Sequence, residues 1–258
     1  PIGNLKELPD KTETSIKLDF EAKQEKIYRD IAIAYNEKIK EVVYLKGDNK
    51  SQLEILSAIL RLRQACSYPQ ALPEVKYDKE PPKLKALFGQ LSQISEEGHK
   101  SLVFTNFKTT LLAIEQGLEE QGQKVFIITG ATPKKKREKI LKEYEEYEGA
   151  AVLGMTLKTG GVGLNLTCAN YVFHVEPWWN PAAESQATDR AHRMGQKNKV
   201  QVYRYIMRES IEEKIETLKQ RKTLAIEGLF SEEAFNIKKA AFAKTGLSYE
   251  DFEYLVGG

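Results

Sequence analysis

The sequence predicts an α/β fold in which a mainly parallel β-sheet is covered by helices on both faces. Short apolar segments with the character of buried strands alternate with amphipathic segments of helical spacing along the middle of the chain. Thr-Pro at 132–133 and Asn-Pro at 180–181 have the form of a helix N-cap followed by a first-turn proline. Strands that alternate with helices of about 10–15 residues are typical of parallel sheets with two covered faces.

Two helices are predicted ahead of the sheet. Asp19 is expected to cap the first helix, in which apolar residues recur at helical spacing. Gly47-Asp48-Asn49 interrupts this pattern, and a second helix follows it. Residues 67–83 contain four prolines and almost no periodicity, which indicates a surface loop that ends near Pro82.

Five strands are predicted, and further helices follow them. The strands are residues 101–105, 124–129, 150–155, 171–175 and 199–206. A helix is expected over residues 210–229, with two short helices around 231–244 and 248–256. Ligands of parallel sheets bind at the carboxyl ends of the strands, so the functional loops are expected after Thr105, Thr129, Met155 and Val175.

These features divide the chain into three predicted parts. Residues 1–82 form a helical lead-in, residues 83–208 form the α/β domain, and residues 209–258 form C-terminal helices. Because the chain begins with Pro1 rather than methionine, we expect it to be a fragment of a longer protein.

The composition excludes several classes of protein. With 29% charged and 41% hydrophobic residues, the chain resembles an ordinary globular domain. No apolar run approaches the roughly 18 residues of a membrane span, so no membrane partner is expected. Cys66 and Cys168 lie far apart, without a CxxC pair or a nearby pair of histidines. A metal site or a disulfide framework is therefore not expected, and a reducing compartment is indicated.

Positive charge is concentrated locally, although the net charge is only +2. Residues 186–208 contain six basic residues and one acidic residue, and residues 134–137 form a second basic run. A basic patch on a nearly neutral protein indicates contact with a polyanion. For the run at 134–137, a solvated helix face is the competing explanation.

The segment from Thr156 to Gln196 is the most informative part of the sequence. Gly160, Gly161 and Gly163 follow a predicted strand at its start. Glycines let the backbone approach a phosphate closely, but a plain tight turn explains the cluster equally well.

A helix that starts at Pro181 is predicted to carry Gln186, Arg190 and Arg193 on one face, because they are spaced i, i+4 and i+7. Two arginines on one face can bind a triphosphate, since guanidinium is planar, always charged and able to form paired hydrogen bonds. Structural salt bridges, such as one between Asp189 and Arg193, are the competing explanation. A second face, expected to pack on a neighbouring element, consists of Ala183, Ala187, Ala191 and Met194.

Trp178 and Trp179 follow the fourth predicted strand, at the edge of the sheet where ligands are expected. Adjacent tryptophans in a loop either fill the core or offer a stacking surface. The sequence alone favours one tryptophan in the core and the other on the surface.

Several segments together resemble one known family. DRAHRMGQ, GGVGLNLT and PWWNP, with the spacing between them, are similar to the second half of Swi/Snf-type ATPases in helicase superfamily two. KSLVFTNF resembles the fourth helicase motif of that family, and IEEKIETLKQRKTLA resembles the helix that follows the sixth. The resemblance covers nearly the whole chain. Lys158 and the segment PWWNPA are more similar to the sequences of bacterial or archaeal members of the family.

The resemblance implies a three-layer, RecA-like lobe of the P-loop NTPase type over residues 83–208, carrying helicase motifs IV to VI. The sequence contains neither the phosphate loop GxxxxGK[ST] nor the Asp-Glu pair that the family uses to hold magnesium. The chain therefore resembles the second of two motor lobes. The first lobe of the same protein is implied as its partner and as the main binding site for ATP and Mg²⁺.

The resemblance also implies an activity, that of a DNA-dependent ATPase that translocates on duplex DNA and remodels chromatin or nucleoid complexes. Arg190 and Arg193 would act as arginine fingers on the β- and γ-phosphates, and Gln186 would orient them. The implied nucleotide contacts of this lobe are Gly161, Gly163 and Asn165. The implied contacts with the DNA backbone are Thr105, Asn106, Thr156, Lys158 and Trp179.

Two other functions stay open at this point. One is a strand-separating helicase lobe of the same superfamily, and the other is a non-catalytic nucleic-acid-binding module. The isolated chain is expected to be inactive as an ATPase, because the first lobe is needed. The expected partners are double-stranded DNA and a DNA-bound protein, and the expected location is the cytoplasmic nucleoid in a prokaryote or the nucleus in a eukaryote.

Overall fold

The computed structural model describes residues 8–44, 49–73, 75–157, 164–228 and 254–255. These residues form two compact units. The first unit contains Pro82–Glu176, Ala182–Ile206 and the described part of Pro1–Leu18. The second contains Asp19–Pro81, Pro177–Pro181 and the described part of Met207–Gly258.

The first unit is built on a six-stranded sheet with the order β1-β6-β5-β2-β4-β3. Four of its strand pairs, β2–β4, β2–β5, β3–β4 and β5–β6, are parallel. This arrangement confirms the predicted α/β fold with a mainly parallel sheet. The strands are β1 (Lys11–Leu18), β2 (Lys100–Thr105), β3 (Val125–Ile128), β4 (Ala151–Thr156), β5 (Tyr171–His174) and β6 (Val200–Met207).

Seven α-helices are described along the chain. They are α1 (Ala22–Tyr44), α2 (Asn49–Ser67), α3 (Pro82–Glu96), α4 (Lys108–Glu120), α5 (Lys134–Glu146), α6 (Pro181–Thr188) and α7 (Ile211–Gly228). A short 3₁₀ helix, Pro69–Ala71, lies in the predicted loop at 67–83. None of the helices in the described part of the chain is long and apolar enough to span a membrane.

Burial on both faces of the sheet explains why the central strands are continuous apolar segments in the sequence. Leu102 and Phe104 in β2 are fully buried in one hydrophobic cluster, together with Leu153 of β4. Because side chains alternate along a strand, Val103 lies on the opposite face, and it is fully buried as well. Close approach of helix and sheet depends on Gly154, where a Cβ atom would lie 2.7 Å from Ile127 Cδ1 and 2.8 Å from Leu111 Cδ1.

Three local predictions were wrong or incomplete. Helix α1 begins at Ala22 rather than next to Asp19, and the Asp19 carboxylate instead accepts hydrogen bonds from Arg208 at 2.9 and 3.0 Å. The N-cap of α5 is Pro133, because the Thr132 hydroxyl accepts a hydrogen bond from the Thr129 amide. Strand β1 was not predicted, since six of its eight residues are exposed.

The C-terminal predictions are tested only in part. Helix α7 confirms the helix that was expected over residues 210–229. The short helices expected around 231–244 and 248–256 lie outside the described residues, apart from Tyr254 and Leu255.

Candidate nucleotide and nucleic-acid site

The carboxyl ends of β2 and β5 lie side by side, where the parallel-sheet rule predicted the site. Phe104 pairs with His174 in the parallel register, and the Val175 amide donates to the Phe104 carbonyl at 2.9 Å. The chain then places Glu176, a buried acid that is only 2% exposed, at the end of β2. Its carboxylate accepts hydrogen bonds from the Thr105 hydroxyl at 2.9 Å and from the Asn106 amide at 2.8 Å.

Thr105 and Asn106, two of the predicted DNA contacts, therefore differ in their exposure to solvent. The Thr105 side chain is buried, and its hydroxyl is directed at Glu176 rather than at solvent. Asn106 is half-buried, and its side-chain amide lies 3.5 Å from the Glu176 carboxylate. Of the two side chains, Asn106 is the one at the surface, and Thr105 fixes its position.

Glu176 and Lys83 are site residues that the sequence analysis missed. Lys83 is fully buried at the start of α3, and its ammonium group donates to the Val175 carbonyl at 2.7 Å. Both residues satisfy polar groups at the carboxyl edge of the sheet. The signal that could have found Glu176 is an acid placed directly after the apolar run at 171–175.

The predicted contact residues from Thr156 to Asn165 are described only in part. Thr156 ends β4 in register with Thr105 and is half-buried. Asn165 is exposed. The remaining predicted contacts of this segment lie outside the described residues: Lys158, Gly161 and Gly163.

Helix α6 is shorter than predicted, so the three residues at i, i+4 and i+7 do not share a face. The helix ends at Thr188, and the backbone continues in turns, with the Ala191 amide bonded to the Thr188 carbonyl at 3.0 Å. The Arg190 carbonyl, which would accept a bond within a longer helix, accepts one from the Leu166 amide at 3.0 Å instead. Residues 189–196 are called the arginine loop below.

The predicted packing face of this helix also needs correction. Ala187 and Ala191 are buried in the core cluster of the sheet, as the pattern suggested. Met194 is instead 79% exposed. Its assignment to that face assumed a helix that continues beyond Thr188.

Arg190 and Arg193 have opposite environments. Arg190 is only 5% exposed, and Arg193 and Gln186 are exposed. The Arg190 Nε and Nη1 atoms are buried without a hydrogen-bond partner. Burial lowers the pKa of the Arg190 guanidinium from its usual value, but an arginine stays charged inside a protein. A buried charge without a partner costs several kcal/mol, so this side chain is suited to an anion.

The alternative of structural salt bridges receives no support within the described ranges. Arg190 forms none of the ion pairs found among those residues. The Asp189 carboxylate accepts a hydrogen bond from the Ser185 hydroxyl at 3.4 Å rather than pairing with Arg193.

Gln196 closes the arginine loop and is another residue that the sequence analysis did not single out. It is 8% exposed, and its side-chain nitrogen donates to the carbonyls of Ala169 at 2.8 Å and Ala191 at 3.0 Å. Its side-chain oxygen accepts from the amides of Lys197 and Asn198, both at 2.9 Å. One side chain thus connects the arginine loop to the segment that precedes β5.

The tryptophan pair lies in the second unit and is arranged differently from the prediction. Trp178 and Trp179 stack on each other, with ring centroids 3.9 Å apart, and both are half-buried. The Arg63 guanidinium lies 5.0 Å from the Trp178 ring and 4.9 Å from the Trp179 ring. Arg63 is 2% exposed and donates to the Pro177 carbonyl at 3.0 Å. Neither tryptophan is purely core or purely surface.

The chain is similar to known helicases in sequence and to known ATPases in fold. Residues 82–195 match the helicase conserved C-terminal domain. An ATP-dependent helicase of Mycoplasma pneumoniae is 38% identical over 214 residues, which are 82% of this chain and 20% of that protein.

Two solved structures from Sulfolobus solfataricus have a similar fold. The C-terminal domain of a SWI2/SNF2 ATPase matches with a TM-score of 0.70 and 25% identity, over 95% of this chain and 98% of that one. A SWI2/SNF2 ATPase core in complex with double-stranded DNA matches with a TM-score of 0.73 and 27% identity, over 96% of this chain and 50% of that one. The chain spans between 13% and 23% of the length of the curated relatives it matches.

Proposed function

Because this chain is the C-terminal lobe of a Snf2-family ATPase, with a helicase conserved C-terminal domain at residues 82–195, we propose that it acts as the second motor lobe of an ATP-driven duplex-DNA translocase. In this role it supplies arginine fingers to ATP and backbone contacts to DNA. Translocation along DNA would then remodel protein–DNA complexes.

The buried, unpaired environment of Arg190 is the observation on which the proposal rests. Its guanidinium is buried, it has two nitrogens without a partner, and no described carboxylate neutralises it. A side chain that only stabilised the fold would be expected to have a counter-charge. A triphosphate presented by another lobe would supply the missing anion and the missing hydrogen-bond acceptors.

Arg193 complements Arg190 because it is exposed. Negative charge builds up on the phosphate oxygens during phosphoryl transfer, and protein groups act mainly by positioning and by electrostatic stabilisation. The exposed Arg193 would reach the γ-phosphate when the lobes close. The buried Arg190 would bind the β-phosphate from a fixed position. Gln186, which is also exposed, would orient the phosphate or Arg193.

The contacts with DNA are assigned to the carboxyl edge of the sheet. Asn106 and Thr156 would bind backbone phosphates there, and Lys158 would add positive charge. Thr105 would act through Glu176 by fixing the loop that carries Asn106. Trp179 would contact the duplex from the second unit. Contacts of this kind bind phosphates without reading bases, and they are sensitive to salt. The double-stranded DNA bound to the similar ATPase core supports this assignment.

Mg²⁺ is assigned to the first lobe. The described residues include no group of three or more His, Cys, Asp or Glu side chains suited to a metal ion. The sequence also contains no phosphate loop. We therefore assign the ion, and most of the contacts to ATP, to the first lobe of the same protein, and no residue of this chain is given a role in holding it.

The proposal is tested in the full-length protein with Arg193→Ala and Arg190→Met. Each substitution is expected to lower DNA-stimulated ATP turnover by about 10³-fold or more, since an arginine finger contributes about 10³–10⁵ in rate. ATP binding and DNA affinity should change little. Arg29→Ala, at an exposed position on α1, is the control and should keep full turnover.

The other functions predict different results in the same assays. If turnover is unchanged while DNA affinity and its salt dependence fall, the non-catalytic binding module replaces the motor. If the intact protein separates the strands of a forked duplex efficiently, the strand-separating helicase replaces the translocase.

A further inference from the structure

Strand β1 is an unusual part of the sheet, because it buries little apolar surface. It lies at the edge next to β6, and six of its eight residues are exposed. Hydrophobic burial therefore contributes little to holding it. Two polar contacts lead from β1 and the residues before it to the arginine loop and to helix α6, which precedes that loop.

The first contact joins the arginine loop to Pro9, which lies two residues before β1. His192 Nε2 lies 2.7 Å from the Pro9 carbonyl oxygen. A carbonyl can only accept a hydrogen bond, so this nitrogen carries the proton in either charge state of the ring. Pro9 is followed by Asp10, whose carbonyl accepts a hydrogen bond from the Val200 amide at 3.0 Å. The acceptor of His192 is thus anchored to the sheet.

The second contact joins β1 to helix α6 through one arginine. Arg204 Nη1 lies 2.8 Å from the Glu13 carboxylate in β1. Arg204 Nε lies 3.4 Å from the Glu184 carboxylate in α6. The Glu184 side chain is 4% exposed and the Arg204 side chain 15%, so this part of the network is shielded from solvent and from salt.

From these contacts we infer that β1 positions the arginine loop for ATP hydrolysis, with His192 and Arg204 as positioning residues. The inference rests on the proposed role of Arg190 and Arg193. The first contact acts on the loop itself, because His192 lies between the two arginines, and the second acts on the helix that leads into the loop, because Glu184 lies six residues before Arg190. Helix α6 ends at Thr188, so helical geometry does not fix the loop, and contacts from outside must do so.

The His192 hydrogen bond favours the correctly placed form of the arginine loop over misplaced forms. A hydrogen bond contributes about a factor of 2 to 10 to an equilibrium of this kind. Loss of the His192 contact is therefore expected to shift the equilibrium toward molecules with misplaced arginines by the same factor. Turnover should fall, and ATP affinity, which depends mainly on the first lobe, should not.

The test uses the full-length protein with His192→Ala, His192→Gln and Glu13→Gln. The measurements are kcat and KM for DNA-stimulated ATP hydrolysis and amide hydrogen exchange over residues 189–196. His192→Ala should lower kcat about 3- to 10-fold, leave KM unchanged and speed exchange in the loop. His192→Gln should restore most of kcat, because its amide can donate to the Pro9 carbonyl. Glu13→Gln should lower kcat about 2-fold.

Two control variants match these changes. His99→Ala removes a histidine whose nearest carboxylate, that of Glu97, lies 3.9 Å away. Glu143→Gln removes an exposed carboxylate of α5, 3.7 Å from Lys139. Neither should change kcat or the exchange of the loop.

Several results would overturn the inference. These are an unchanged kcat in His192→Ala, a fall that His192→Gln does not reverse, or faster exchange throughout the protein rather than in the loop. Failure of the proposed function is recognised separately, because Arg193→Ala would then keep its turnover. In that case loop exchange alone decides whether β1 holds the loop.

Discussion

The Thr105 hydroxyl lies 2.9 Å from each carboxylate oxygen of Glu176, and this contact joins the carboxyl ends of two neighbouring strands. Thr105 is the last residue of β2, and Glu176 lies two residues beyond the end of β5. Both side chains are buried. The exposed part of the Asn106 loop is therefore held by a carboxylate that does not itself face solvent.

Glu176→Gln tests this arrangement. The substitution removes the negative charge, so the hydrogen bonds of the Thr105 hydroxyl and the Asn106 amide are no longer made to a charged group. The free energy of unfolding should fall by about 1.5–3 kcal/mol, the usual contribution of a hydrogen bond to a charged group. Denaturant titration of the chain measures it, with the exposed Glu97→Gln as control, which should change stability by less than about 0.5 kcal/mol. Equal stabilities for the two variants would contradict the structural role of Glu176.

Arg190→Met should separate stability from function. The side chain is buried with two unpartnered nitrogens, so a neutral side chain of similar length removes a cost of burial. The free energy of unfolding of the chain should stay the same or rise by about 1–3 kcal/mol, although turnover of the full-length protein is lost. Thermal and denaturant unfolding provide the measurement.

Arg63→Met is the matched control for that prediction. Arg63 is equally buried, but it donates to the Pro177 carbonyl and lies over two indole rings. The same substitution should therefore destabilise the chain at this position. A loss of stability of equal size in both variants would show that Arg190 is a structural residue.

The central strands could be predicted from the sequence because both of their faces are buried. Such strands form short apolar runs, as in residues 101–105 and 171–175, and a run of this kind is a local signal. Strand β1 carries no such signal, since most of its residues are exposed and it is held through polar contacts with Arg204 and the backbone of β6.

The end of α6 shows where periodicity becomes misleading. The i, i+4, i+7 pattern of Gln186, Arg190 and Arg193 continues past the point at which the helix stops. The chain leaves the helix because of hydrogen bonds to distant residues: Thr188 bonds to His174, and the Arg190 carbonyl accepts from Leu166. A local sequence pattern contains no information about such partners.

The buried polar residues of the site were missed for the same reason. Glu176 and Gln196 bind mostly backbone amides, backbone carbonyls and one hydroxyl from other segments. Their partners become adjacent only after the sheet has formed. The family resemblance singled out the DRAHRMGQ segment, but it did not indicate that one of its arginines is buried and the other exposed.

Arg63→Lys should loosen the tryptophan pair. The chain contains two tryptophans, which are adjacent and stacked, so intrinsic tryptophan emission reports on this site alone. A planar guanidinium lies about equally far from both rings, and an ammonium group cannot cover both faces in the same way. Emission should shift to longer wavelength, and acrylamide quenching should increase. Arg29→Lys is the control, and an unchanged spectrum in Arg63→Lys would remove the role assigned to Arg63.

The contact of β1 with Arg204 should make stability depend on pH in the acid range. Burial raises the pKa of the Glu13 carboxyl, but hydrogen bonds and charges from Lys11 and Arg204 outweigh it and hold the pKa below its ordinary value of 4.5. A lowered pKa in the folded state stabilises the protein above the pKa of the unfolded chain, and this contribution disappears as pH falls through the folded pKa. The stability difference between the wild type and Glu13→Gln should therefore be present at neutral pH, begin to fall near pH 4.5 and vanish in stronger acid, below the lowered pKa. Denaturant titrations across that range measure it, and Glu143→Gln should show a difference below about 0.5 kcal/mol at every pH. A Glu13→Gln difference that persists unchanged into strong acid would show that the carboxylate charge does not hold β1.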